Sequence, residues 1–141
     1  MEFKEDSQAV QSHLGILQNV IQRMASNSSS AKAWCVTLVS AILVIIADKG
    51  KSEYALIAVM PTLLFLFLDA YYLGLEQGFR NSYNDFISKL HKDEIDSSDL
   101  FEIKPEGNQI LLVLKSIISF SVWPFYSMLL VMIYVAKTLI L

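Results

Sequence analysis

The sequence predicts an all-α, polytopic membrane protein: an N-terminal amphipathic helix plus three transmembrane helices, the second extended into the cytoplasm. Three observations carry that reading. Hydrophobic residues make up 54% of the 141 positions and charged residues only 18%, and the mean hydropathy is positive, which is high for a water-soluble domain. The apolar residues also come in blocks (Ala33–Ala47, Tyr54–Leu68 and Ile110–Leu141) between polar stretches, whereas a soluble core spreads them with helical or strand periodicity. Finally, Phe67–Arg80 passes from a hydrophobic run into a charged one with no helix-breaking signal, as expected where a helix leaves a bilayer.

The chain divides into four expected segments: an amphipathic helix in 1–31, a transmembrane hairpin in 33–73, a cytoplasmic extension and acidic loop in 74–108, and a third transmembrane segment in 109–141. In the first, Phe3, Val10, Leu17 and Met24 recur every seven residues, with Leu14 and Ile21 between them. Asp6 or Ser7 is placed to cap its start. This helix either lies on the bilayer or on its own subunit, or it forms a seam between subunits through Val10, Leu14, Leu17, Ile21 and Met24. Asn27-Ser28-Ser29-Ser30 is expected to break or weaken the helix, since these side chains compete for backbone hydrogen bonds.

Lys32 and Trp34 mark a membrane boundary, where long cations snorkel and indole rings settle. Ala33–Ala47 alone is a short span, about 22 Å against a hydrocarbon core of about 30 Å. Asp48–Glu53 reads as a polar hairpin centred on Gly50. The second span begins at Tyr54, is expected to kink at Pro61, and continues beyond the lipid towards Leu90 on the stripe Phe79, Tyr83, Phe86 and Leu90. Lys92–Asn108, with six acids and two lysines, reads as a solvated loop or as a docking strip for a basic partner. Ile110–Ile118 either lies along the interface or begins the third span, roughly Ser119–Leu139, where Trp123-Pro124 supplies an anchor and a kink.

Eight of the eleven lysines and arginines fall on one side if the N-terminus is inside, with only Lys49, Lys51 and Lys137 opposite. That bias predicts an inner (cytoplasmic) membrane protein with its N-terminus cytoplasmic and its C-terminus outside.

Asp69, Glu76 and Arg80 lie within roughly 20° of one another on a helix. Asp69 falls fifteen residues after Tyr54, and Lys32 fifteen residues before Ala47, so an antiparallel hairpin puts the two at one depth. A carboxylate at that depth needs a partner, water or a proton. The expected polar layer joins Lys32 and Asp69, with Arg23, Asn27, Thr37 and Tyr72 as further candidates, while Arg80 pairs with Glu76 at i,i+4. Such a layer is a structural charge network, a gate or ion path, or a site for a phosphate-bearing ligand or headgroup.

Other chemistry finds little footing. His13 and His91 read as surface residues, the single Cys35 offers no disulfide, and no metal-ligand cluster, nucleophile motif or phosphate-cradling glycine loop occurs. No enzyme, cofactor or metal is expected, and a net charge of −3 without a basic cluster disfavours nucleic acid.

Arg23-Met24-Ala25-Ser26-Asn27-Ser28, followed by Lys32, Trp34 and Thr37-Leu38, and Leu68-Asp69-Ala70-Tyr71-Tyr72 with Glu76, Phe79 and Arg80, resemble motifs of small bacterial membrane proteins that accompany anti-phage defence genes. In architecture the chain is similar to the SLATT-type few-span effectors, although its third span departs from a two-span pattern. The resemblance covers roughly residues 23–80. It implies a membrane-disrupting or signalling role in immunity. Because a pore built from one short chain requires symmetry-related copies, the leading expectation is an oligomeric inner-membrane effector or accessory protein that permeabilises or assembles in the membrane, in contact with lipids and with a soluble sensor or effector. The alternatives are a membrane anchor that recruits a soluble partner, and a small ion or proton-coupled channel using Asp69.

Overall fold

A computed structural model describes residues 3–140, so the outermost residues of the first and last expected segments lie outside it. The described chain is helical throughout its regular structure. It is organised on two long antiparallel rods: α1 (Gln8–Lys49), and a 3₁₀ stretch, Ser52–Ala58, that runs into α2 (Val59–His91). At 1.5 Å per residue α1 is about 63 Å long. Two shorter helices follow, α3 (Gln109–Ile117) and α4 (Trp123–Val135), and α4 ends in a π-helical turn, Ala136–Ile140.

The expected break at Asn27–Ser30 is absent, and α1 passes straight through it. Its buried side begins with Val10, His13, Leu17 and Ile21, passes through Ser28 and Ala31, and ends with Cys35, Val39 and Ile46. Those three-and-four spacings keep one face against α2 from end to end. Packing of that face overrides local propensity, because the buried Ser28 hydroxyl bonds across to α2 instead of to its own backbone.

The turn between the rods is tighter than a six-residue hairpin: only Gly50 and Lys51 lie outside helix. Gly50 takes φ +66°, the left-handed cap that a Cβ disfavours, and its N–H closes on the Ala47 carbonyl at 3.2 Å. Pro61 falls in the first turn of α2, at the changeover from 3₁₀ to α geometry. There its missing N–H is tolerated.

The third apolar block divides in two. A non-helical corner at 118–122 separates α3 from α4, and Pro124 starts α4 where a kink was expected. α3 lies on α2 at Gly74 and Gly78: a Cβ on Gly74 would come 3.1 Å from the Val113 nitrogen, and one on Gly78 2.7 Å from Pro105 Cβ. α4 packs along the upper half of the rods, where Val122, Tyr126, Leu129 and Ile133 join Cys35, Val39 and Ala58 in one core. A second core, Val10, Phe86, Leu90 and Ile95, closes the opposite end.

Candidate functional site

Asp69 is fully buried in the middle of the apolar part of α2. Two other helices supply its partners. From α1, Ser28 donates its hydroxyl to Oδ1 and Lys32 sets Nζ 2.5 Å from Oδ2. From α4, the Tyr126 hydroxyl lies 3.1 Å from Oδ2 and 3.2 Å from the Phe65 carbonyl. Lys32 Nζ also lies 3.4 Å from Ser28 Oγ, which closes the cluster. The Lys32 side chain keeps 21% of its surface exposed, so the ammonium caps the site while the carboxylate is sealed.

Local sequence explains each position. Ser28 and Lys32 are one helical turn apart and share a face of α1. Asp69 is carried to the level of Lys32 by equal offsets from the turn, seventeen residues back from Lys49 to Lys32 and seventeen on from Ser52 to Asp69. Tyr126 enters because α4 begins at Trp123 and so brings its first buried residue to the depth of Asp69. A carboxylate in an apolar interior is tolerated when its lone pairs are met by a cation and hydroxyl donors. Such a cluster fixes the register of three helices at once.

The structure therefore brings Lys32 and Asp69 together and leaves other candidates outside. Arg23 is exposed and makes no ion pair among the described residues, and the Thr37 hydroxyl turns back to the Ala33 carbonyl at 2.9 Å. Asn27 and Tyr72 line a shallow notch with Trp34 on the outer side of the hairpin. Glu76 and Arg80 form their own pair, with both Nε and Nη2 within 3.0 Å of Glu76 Oε1. Val10, Leu17 and Ile21, considered for a subunit seam, are buried against their own chain, and Leu14 and Met24 are half-buried. The structure adds Ser28 and Tyr126 to the layer. Ser28 was legible as the residue one turn before Lys32, but nothing in the sequence placed Tyr126 at that depth.

A second polar assembly lies at the far end, around the acidic segment. Most of this segment is exposed, as a solvated loop would be, but it is docked on the rods at points along its length. Ile95 is buried, and Asp96 and Asp99 form a reciprocal capping box around the short 3₁₀ turn Ser97–Asp99. Lys89 reaches Asp99 at 3.2 Å, and the Glu106 N–H donates to the Gly78 carbonyl at 3.0 Å. His13, expected at the surface, is 2% exposed. Its ring lies 4.2 Å from that of Phe86, and its Nδ1 accepts the Phe101 N–H at 2.9 Å.

Titration follows from these contacts. Burial lowers the His13 pKa, and the nearby Asp99 carboxylate offsets part of that shift. The Asp96 backbone N–H and the Lys89 ammonium hold Asp99 below its usual range. Burial and the neighbouring Asp85 carboxyl raise Glu106. Among the described residues no group of three or more His, Cys, Asp or Glu side chains is placed to share a metal ion.

Comparison with protein-family models, with curated proteins and with solved structures finds no match to this chain. The functional reading rests on the geometry and on the motif resemblance of residues 23–80.

Proposed function

We propose that the chain is an oligomeric effector or accessory subunit of a bacterial inner membrane, acting in anti-phage defence by permeabilising or assembling in that membrane. One observation carries the membrane part. Both rods are long and apolar enough to cross a bilayer, yet only 22% of the most apolar stretch of each is buried within the chain. The core helix of a soluble protein would be mostly covered. Val44, Ile45, Met60, Leu64 and Phe67 are each at least 60% exposed, and lipid is the solvent that suits such a belt.

The same belt supports a topology. The C-terminal end of α4 lies against the start of the second rod, beside the Gly50 turn, while the N-terminal end of α1 lies with the acidic segment at the other end. The lysine and arginine bias then favours an inside N-terminus and an outside C-terminus. α4 acts as a third, short crossing segment and α3 as a helix along the inner interface.

Oligomerisation is supported by the exposed face of α1. Ser26, Ser30, Ala33, Thr37 and Ser40 form a run of small side chains, the composition that lets helices approach closely in lipid. In the closed state Tyr126 and Lys32 seal Asp69. Withdrawal of α4 uncovers a charged layer that symmetry-related copies would gather around an axis. A small channel using Asp69 shares that geometry. The anchor reading has less support, because Asp96, Asp99 and Glu102 are already engaged within the chain.

Two measurements test the proposal. The protein should remain with the membrane fraction after an alkaline wash and leave it only with detergent; release by the wash sinks the membrane reading. Reconstituted in vesicles, Tyr126→Phe should leak an entrapped dye faster than the parent protein. No leakage from either, even with a candidate sensor protein added, sinks the permeabilising role.

A further inference from the structure

The acidic segment is held by an unusual contact. Phe101 sits at φ +62°, a left-handed conformation that a bulky aromatic residue adopts only when its surroundings impose it. Its side chain is 55% exposed, so burial of the ring does not compensate for the conformation. What engages its backbone is His13, through Nδ1. An imidazole nitrogen accepts a hydrogen bond only while it carries no proton, so this contact requires neutral His13 with its hydrogen on Nε2.

We propose that the His13–Phe101 contact is a proton-operated latch that keeps the Lys92–Asn108 segment, and the base of α3 beyond it, closed on the rods. A proton added to Nδ1 takes up the lone pair that Phe101 uses and sets two N–H groups against each other. Phe101 then loses the partner that holds its strained backbone, and the segment opens. The mechanical line runs onward. Pro105 and Gln109 rest on Gly78, Val113 rests on Gly74, and a five-residue corner joins α3 to α4, which carries Tyr126. Opening thus loosens the element that seals Asp69. The latch itself stands on the fold alone; its effect at the membrane rests on the function proposed above.

The groups facing His13 determine the pH response. From α2 come Asp85 and Lys89; from the segment come Asp99, Glu102, Lys104 and Glu106; all share one polar cavity of about 150 Å³ with Ser82 and the imidazole. Burial dominates and depresses the His13 pKa in the closed state. The latch therefore contributes full stability above the free imidazole value and loses it as pH falls through the depressed one. Asp99 is held low and stays ionised across that window. Glu106, held high beside Asp85, works in the opposite sense: taking up a proton removes its repulsion with Asp85 and favours closure as pH falls. Glu106→Gln removes that opposing contribution.

The test is hydrogen exchange at the Phe101 amide in the full chain, in detergent or lipid discs, corrected for intrinsic exchange. In a Glu106→Gln background, protection should fall about tenfold per pH unit between the free and depressed imidazole pKa values, the slope of one linked proton. His13→Gln, whose amide oxygen can still accept, should flatten that dependence; His91→Gln should leave it intact. An unchanged slope in His13→Gln overturns the latch. If His13→Gln fails to fold, imidazole nitrogen shifts in the His91→Gln protein decide: a His13 midpoint at or above the free value overturns the proposal. Opening without any change in vesicle leakage leaves the latch standing and counts against the permeabilising role.

Discussion

Two acids, Asp69 and Glu76, sit seven residues apart on one face of α2, and the ion pairs they form behave as different objects. Asp69 is sealed, meets Lys32 across a helix interface at 2.5 Å, and draws a third segment in through Tyr126. Glu76 meets Arg80 along its own helix, with the arginine side chain 52% exposed. In sequence they form a single charged stripe. In the folded chain only the first determines how segments are placed, because only there would water be unable to replace a lost partner. The second is a local helix pair in contact with solvent, where side-chain entropy and screening cancel most of the attraction.

Substitutions along α2 should grade accordingly. Lys32→Met leaves a buried carboxylate without its cation, and we expect a loss of about 3 kcal/mol or more in unfolding free energy, read from denaturant titration of detergent-solubilised protein. A loss below one kcal/mol would mean that the pair is not sealed. Gly78→Ala places a methyl group 2.7 Å from Pro105 Cβ and 2.8 Å from Gln109 Nε2. It should cost about 1–3 kcal/mol through overpacking and should raise hydrogen exchange in α3 before anything else moves. Tyr126→Phe removes one hydroxyl from Asp69 and should cost about 1 kcal/mol, with faster exchange in α4 than in α1. Arg80→Ala should cost no more than about 0.5 kcal/mol, and added salt should shrink even that difference. If Arg80→Ala proves as damaging as Lys32→Met, the contrast between the two pairs fails.

The sequence made the depth of Lys32 and Asp69 legible because a helical hairpin with a short turn turns residue counts into heights. The apolar stripe Phe79, Tyr83, Phe86 and Leu90 pointed to the far end of α2 at Leu90, next to the observed end at His91. Such readings failed where placement depended on tertiary contact. Ser28 reads as a helix breaker until its hydroxyl has somewhere else to bond. The acidic segment reads as solvated because its charges outnumber its apolar residues, yet Ile95 and Leu100 are enough to dock it on Phe86 and Leu90. His13 was readable in hindsight: it falls between Val10 and Leu17 on the three-and-four spacing of the buried face. No count along the chain locates Tyr126, since its height depends on where the corner at 118–122 lets α4 begin.

The uninterrupted course of α1 has a mechanical consequence. An unbroken helix from His13 to Lys32 ties the placement of one to that of the other. A displacement of its first turns would thus be transmitted to the ammonium group capping Asp69, some five helical turns away.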